Sequence, residues 1–140
     1  MDRLTVSHHL ALHLLSYDDG LALPLEAELR YDIADPIAVT ALLYADGDEP
    51  VRWVFARDLL ESGLDQRTGV GDVVVWPAHE VADRATVHIQ LTSPHGAAVL
   101  AAPADEVETF LAATWRLVGP GDEDRHLDID RAIDALLGDR

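Results

Sequence analysis

Two-residue alternation of apolar and polar side chains, repeated in several segments and broken each time by a turn cluster, is the feature that most limits what this chain can fold into. From Thr5 to Leu14, the residues Val6, Leu10, Leu12 and Leu14 alternate with Thr5, Ser7, His9 and His13. Successive side chains of a strand point to opposite faces, so such a run makes a half-buried strand and a poor helix. Ser16-Tyr17-Asp18-Asp19-Gly20 reads as a turn, after which Leu23, Leu25, Ala27, Leu29 and Tyr31 stand opposite Glu26, Glu28 and Arg30. Beyond Asp35-Pro36, a third segment from Ile37 to Tyr44 is apolar on both faces. An Asp46-Gly47 turn joins it to Val51, Trp53 and Phe55, which predicts an antiparallel hairpin. Val73 to Trp76, then Val87, Ile89 and Leu91, then Ala97 to Ala101 behind Ser93-Pro94-His95-Gly96 bring the expected total to about seven strands.

Helical signals are fewer and later. Arg57 to Gly63 reads as a short helix between strands, with Gly63 as its stop. Pro103 suits a first helical position, Asp105, Glu106 and Glu108 suit a helix N-terminus, and Val107, Phe110, Leu111 and Thr114 recur at helical spacing until Gly119-Pro120. An acidic linker, Gly121 to Asp124, precedes a last amphipathic stretch carrying Ile129, Ile133, Leu136 and Leu137. That stretch has two readings, a helix docked on the chain's own sheet or a face for a partner. Strands first and helices after them predict one α+β domain over residues 1–140, built mainly of antiparallel sheet.

Charge narrows the partners. The chain has 26 acidic residues against ten basic ones, all Arg, for a net charge of −16. Such a charge repels phosphate backbones and anionic lipid, and there is no basic run to offset it, so the expected partners are proteins, not nucleic acid. With no Cys, disulfides and thiolate chemistry are excluded. No apolar run approaches the ~20 residues of a membrane helix, so direct membrane insertion is not expected, and the N-terminus lacks the pattern of a secretory signal, which gives a cytoplasmic expectation.

The residues that could carry chemistry have plainer readings. His9 and His13 share a strand face but lie ~13 Å apart along it, too far to share one ion. No Asp/Glu pair is marked by a motif, no Ser sits in a nucleophile elbow, and Gly69 and Gly71 lack the rest of a phosphate-binding loop and read as turn residues. Trp53, Phe55 and Trp76 could form a base-stacking sheet, but core packing is the simpler role for Trp53 and Phe55. No catalytic residue, metal ligand or cofactor site is expected. Because the helices can cover only one sheet face, the other should meet a second sheet or a second subunit, which predicts an oligomer.

Several runs together resemble the SsgA-like sporulation and cell-division family of actinobacteria. They are Leu29-Arg30-Tyr31-Asp32, Ala34-Asp35-Pro36, Trp53-Val54-Phe55-Ala56-Arg57-Asp58-Leu59-Leu60, Gly71-Asp72-Val73 and Val75-Trp76-Pro77, with Ser93-Pro94, Ala102-Pro103 and Phe110-Leu111 later. Within the family the SsgB branch fits best. The resemblance implies a Whirly-like fold, assembly into a homotrimer, no catalytic residues, and a role at the sporulation septum. There the protein would recruit the tubulin-like protein FtsZ, acting with an SsgA-like partner. The alternative is a Whirly- or PUR-like single-strand nucleic-acid module, which the fold analogy favours and the charge opposes. Arg52, Trp53 and Arg57 are the candidate partner-binding residues, and the competing reading of Arg57 is that it opens the short helix and pairs locally with Asp58.

Overall fold

The computed structural model describes residues 4–16, 20–45, 49–79 and 84–126. Its seven strands are β1 (Thr5–Leu15), β2 (Ala22–Asp32), β3 (Ala38–Tyr44), β4 (Val51–Ala56), β5 (Val73–His79), β6 (Ala85–Ser93) and β7 (Gly96–Pro103). The helices are α1 (Arg57–Gly63), α2 (Ala104–Leu117) and the short α3 (Glu123–His126). All strands join one antiparallel sheet in the order β4-β3-β2-β1-β7-β6-β5, so the expected α+β architecture with mainly antiparallel sheet is what the chain adopts.

The sheet is two meanders joined at one seam. β1 pairs with β2 over eleven residues, from Thr5–Asp32 to Leu15–Ala22, but with β7 over only three, His13–Ala101 to Leu15–Val99. Among the described residues the N-terminal half of β1 thus has no strand on its β7 side, and α2, which packs against β1, β6 and β7, meets it there through Glu106, 3.1 Å from His8. The alternation explains the layering. Leu10, Leu12, Ala27, Leu29, Tyr31, Val39, Ala41 and Phe55 point to one face, as do Val75, Val87, Ile89, Leu91 and Leu100, and all belong to one buried cluster. Residues from both ends of a seven-stranded sheet can share one core only if the sheet curls, as right-handed strand twist promotes.

The helices close one end of the curl. In α2, Val107, Phe110, Leu111 and Thr114 are buried at i, i+3, i+4 and i+7, the stripe expected of a helix on a core. Pro103 is the extended residue before this helix, one position earlier than the sequence suggested. Gly63 does not stop α1 through a left-handed turn, because the helix closes on Leu64 in right-handed conformation. Instead a Cβ at Gly63 would overlap the Val75 side chain, so glycine is needed for the helix to approach β5. Gly69 is a turn residue as expected, with φ +107°. The linker read from Gly121 to Asp124 partly becomes α3, while Ile129, Ile133, Leu136 and Leu137 lie outside the described residues.

Candidate partner-binding surface

Arg52, Trp53 and Arg57 follow one another closely, yet the fold sends them to three environments. β4 places alternate side chains on opposite faces, and the chain then turns inward at the start of α1.

Arg57 is 1% exposed. Its Nη1 donates to the carbonyl oxygens of Thr114 at 3.1 Å and Val118 at 2.8 Å, and its Nη2 donates to Glu123 Oε2 at 2.8 Å. The guanidinium lies over the Trp115 ring at 3.5 Å and the Tyr31 ring at 4.7 Å. A cation here meets carbonyls at the negative end of the α2 dipole, adding a second donor to the Thr114 oxygen, which also accepts from the Val118 N–H at 2.9 Å. The residue therefore ties α1, α2 and α3 together, and its ion-pair partner is Glu123, not the neighbouring Asp58. Glu123 is held below the usual carboxylate range by a hydrogen bond from its own backbone N–H and by the Arg57 guanidinium. Tyr31 donates its hydroxyl to the Pro36 carbonyl at 2.8 Å, and burial pushes its pKa up to about 12. In this arrangement the Arg57 guanidinium is not presented to a partner.

Trp53 points to the inner face and is half-buried at the end of the curl away from α2. There the sheet encloses an apolar groove of about 330 Å³ lined by Leu14, Leu25, Leu43, Val51, Trp53 and Leu91. Its walls come from β4 on one side and the β6–β7 hairpin on the other. Of the inward series Val51, Trp53 and Phe55, only Phe55 is fully buried, while Val51 remains 51% exposed. The helices cap the opposite end of the curl, so nothing among the described residues covers this one.

Arg52 points to the outer face and lines a polar groove of about 610 Å³ with Arg30, Ser7, Thr40, Asp32 and Asp35. Arg30 is engaged by Glu28 through Nε at 2.8 Å and Nη2 at 3.2 Å. That guanidinium holds Glu28, which is buried on this face, below the ordinary carboxylate range although burial works the other way. The histidines divide by face. His8 lies inward, 3.1 Å from Glu106 of α2, whereas His9 and His13 are exposed on the outer face. Trp76, also outward, stacks edge-on with His88 and lies under Arg67 at 4.6 Å.

The groups that engage Arg57 were not foreseen, because 57 and 66 positions separate it from Thr114 and Glu123 and no periodicity links such distant residues. Residues 25–123 match the family described as "Streptomyces sporulation and cell division protein, SsgA". The chain belongs to the SsgA family. The sporulation-specific cell division protein SsgB of Streptomyces coelicolor is 47% identical over 135 residues, covering 96% of this chain and 97% of that protein. SsgB of Salinispora tropica is 45% identical over 139 residues, covering 97% and 95%. Among solved structures, one of SsgB, reported with mutations that correlate to longitudinal cell division during sporulation of S. coelicolor, superposes with a TM-score of 0.85 at 48% identity, over 89% of this chain and 97% of that one. An SsgA-like sporulation-specific cell division protein of Thermobifida fusca superposes with a TM-score of 0.84 at 34% identity, over 99% and 97%. The SsgA-family match begins within β2 and ends in α3, so it spans Tyr31, Arg57 and Glu123 but not β1.

Proposed function

We propose that this SsgA-family chain is a non-catalytic adaptor of sporulation-specific cell division that recruits FtsZ to septum sites and supports Z-ring assembly, acting with an SsgA-like partner. The observation that carries the reading is the 47% identity to SsgB of S. coelicolor over almost the whole of both chains. Relatives that align end to end at this level share the fold, and the proteins matched are named for cell division. The exposed features suit an adaptor: an open apolar groove around Trp53 and a polar groove around Arg52. In this reading the protein works as an oligomer, the homotrimer that its family resemblance implies, concentrated at the septum.

Sedimentation of FtsZ polymers with and without the purified protein tests the proposal. Co-pelleting, or more polymer in the pellet, is the expected result. If the protein stays in the supernatant at every salt concentration, with an SsgA-like protein added as well, the recruitment reading fails.

A further inference from the structure

The two edges of the sheet are finished differently. At β5 the Thr68 N–H donates to Val75 O at 2.8 Å and the Val75 N–H donates to Thr68 O at 2.9 Å, so a single bridge from the preceding loop covers the middle of that edge at Val75. At β4 no such cover exists among the described residues, since its only backbone partner is β3. The direction of the free groups follows from register. The Arg57 N–H donates to Ile37 O at 2.7 Å, in line with the ladder Ala38–Ala56 to Leu43–Val51. Hydrogen-bonded and non-bonded pairs alternate along an antiparallel ladder. Val39–Phe55, Ala41–Trp53 and Leu43–Val51 are thus the bonded pairs, and the backbone N–H and C=O groups of Arg52, Val54 and Ala56 point away from β3. An uncovered edge of this kind is a template for another strand.

We propose that the free edge of β4 is a strand-addition site for an extended segment of a partner protein in which acidic and apolar side chains alternate. A strand laid beside β4 would set one set of side chains next to Arg52 and Val54 on the outer face and the other next to Val51 and Trp53 on the inner face. On the outer side Arg52 makes no ion pair among the described residues, and of its neighbours in the polar groove Arg30 is engaged by Glu28 while Asp32 and Asp35 are carboxylates. In a chain of net charge −16 the Arg52 guanidinium, on the edge strand itself, is the group that an acidic side chain on the added strand would meet. On the inner side Val51, 51% exposed, and the half-buried Trp53 form the rim of the apolar groove, and Val54 is 47% exposed on the strand's other face. Backbone bonds give such a contact its affinity, and the different chemistry of the two faces gives it register. The proposal refines the adaptor reading by supplying the surface through which the division protein is held.

The test has two arms. In the first, a short fluorescent peptide of alternating Glu and Val is titrated into the full-length protein, and amide exchange is followed at Arg52 and Val54. Binding should slow exchange at both positions. Val54→Pro removes an outward N–H and no ladder bond, a substitution edge strands tolerate, and should weaken binding by about tenfold. Arg52→Glu should weaken it by roughly fivefold. In the second arm FtsZ replaces the peptide in sedimentation, with the same variants. Peptide binding without FtsZ co-pelleting keeps the edge and removes the recruitment function. Co-pelleting that Val54→Pro and Arg52→Glu leave unchanged keeps the function and overturns the edge. Unaltered exchange at Arg52 and Val54 with peptide bound also overturns it, and this readout needs no variant should Val54→Pro unfold. A fall in the wild-type oligomeric mass on introducing Val54→Pro would mean that a second copy occupies the edge, which overturns the proposal as well.

Discussion

Arg57 lies against two aromatic rings and holds two helix-terminal carbonyls and one carboxylate, so its removal takes a donor from the Val118 carbonyl and from Glu123 Oε2 at once, while the Thr114 carbonyl keeps the Val118 N–H. Breaking a buried pair from one side commonly destabilises by about 3–5 kcal/mol, and because Glu123 is partly exposed the expected loss for Arg57→Met is near about 3 kcal/mol. Arg57→Lys should fall between, since an ammonium keeps the charge but lacks the planar fork. Urea unfolding measures both. The lowered pKa of Glu123 means that its pairing stabilises the fold fully above the unfolded value near 4.5 and is lost as pH falls through the lower folded value. Glu123→Gln should therefore lower stability at neutral pH and flatten the acid limb of stability against pH. Tyr31 has the opposite sign. Its pKa is raised from 10.0 to about 12, so the folded state keeps the proton longer, and that stability is present below pH 10 and lost between 10 and about 12. Tyr31→Phe should cost about 1 kcal/mol by losing the bond to Pro36 and should remove that alkaline decline, as unfolding followed from neutral to alkaline pH will show. Tyr31 and Arg57 belong to the runs that made the family recognisable, Glu123 does not, and the work of all three lies in holding the fold. The motif was therefore legible while the role of Arg57 was not.

Among the elements, the strands and α2 were readable because their patterns are local. Alternation identifies a strand facing a core, and Val107, Phe110, Leu111 and Thr114 identify a helix on one, whatever else the chain does. α1 was readable in extent but not in reason, since the sequence makes Gly63 a helix stop and the packing makes it a contact. Gly63→Ala should destabilise by about 1–3 kcal/mol through overpacking against Val75. Adding Val75→Ala should recover part of the loss if the overlap is its cause, and a double-mutant cycle in urea separates the two contributions. The inward series Val51, Trp53 and Phe55 shows the limit of periodicity. It assigns a common face correctly, but burial fades along that face from Phe55 to Val51 because α2 closes only one end of the curl.

For the whole molecule, the charge of −16 sets the terms of any encounter. Single-stranded DNA should not shift in a gel even at low salt, where electrostatic binding would be greatest, and a shift that weakens steeply with salt would revive the nucleic-acid reading. In the proposed FtsZ complex, an acidic partner is repelled at long range by this chain, so moderate salt should raise the affinity by screening that repulsion more than the short contacts at Arg52. Light scattering of the purified protein checks the expected trimer. The sequence by itself determined the element order, the α+β class, the apolar face of the alternating strands β1, β2 and β6 and the family, because these rest on local periodicity and short motifs. Only the tertiary structure decided that Arg57 is enclosed, that Trp53 borders an open groove, that Arg52 stands on the other face, and that β4 is left bare among the described residues while β5 carries a bridge at Val75. Each of these depends on residues dozens of positions apart being brought together by the curl of the sheet, and no local pattern records where that curl will end.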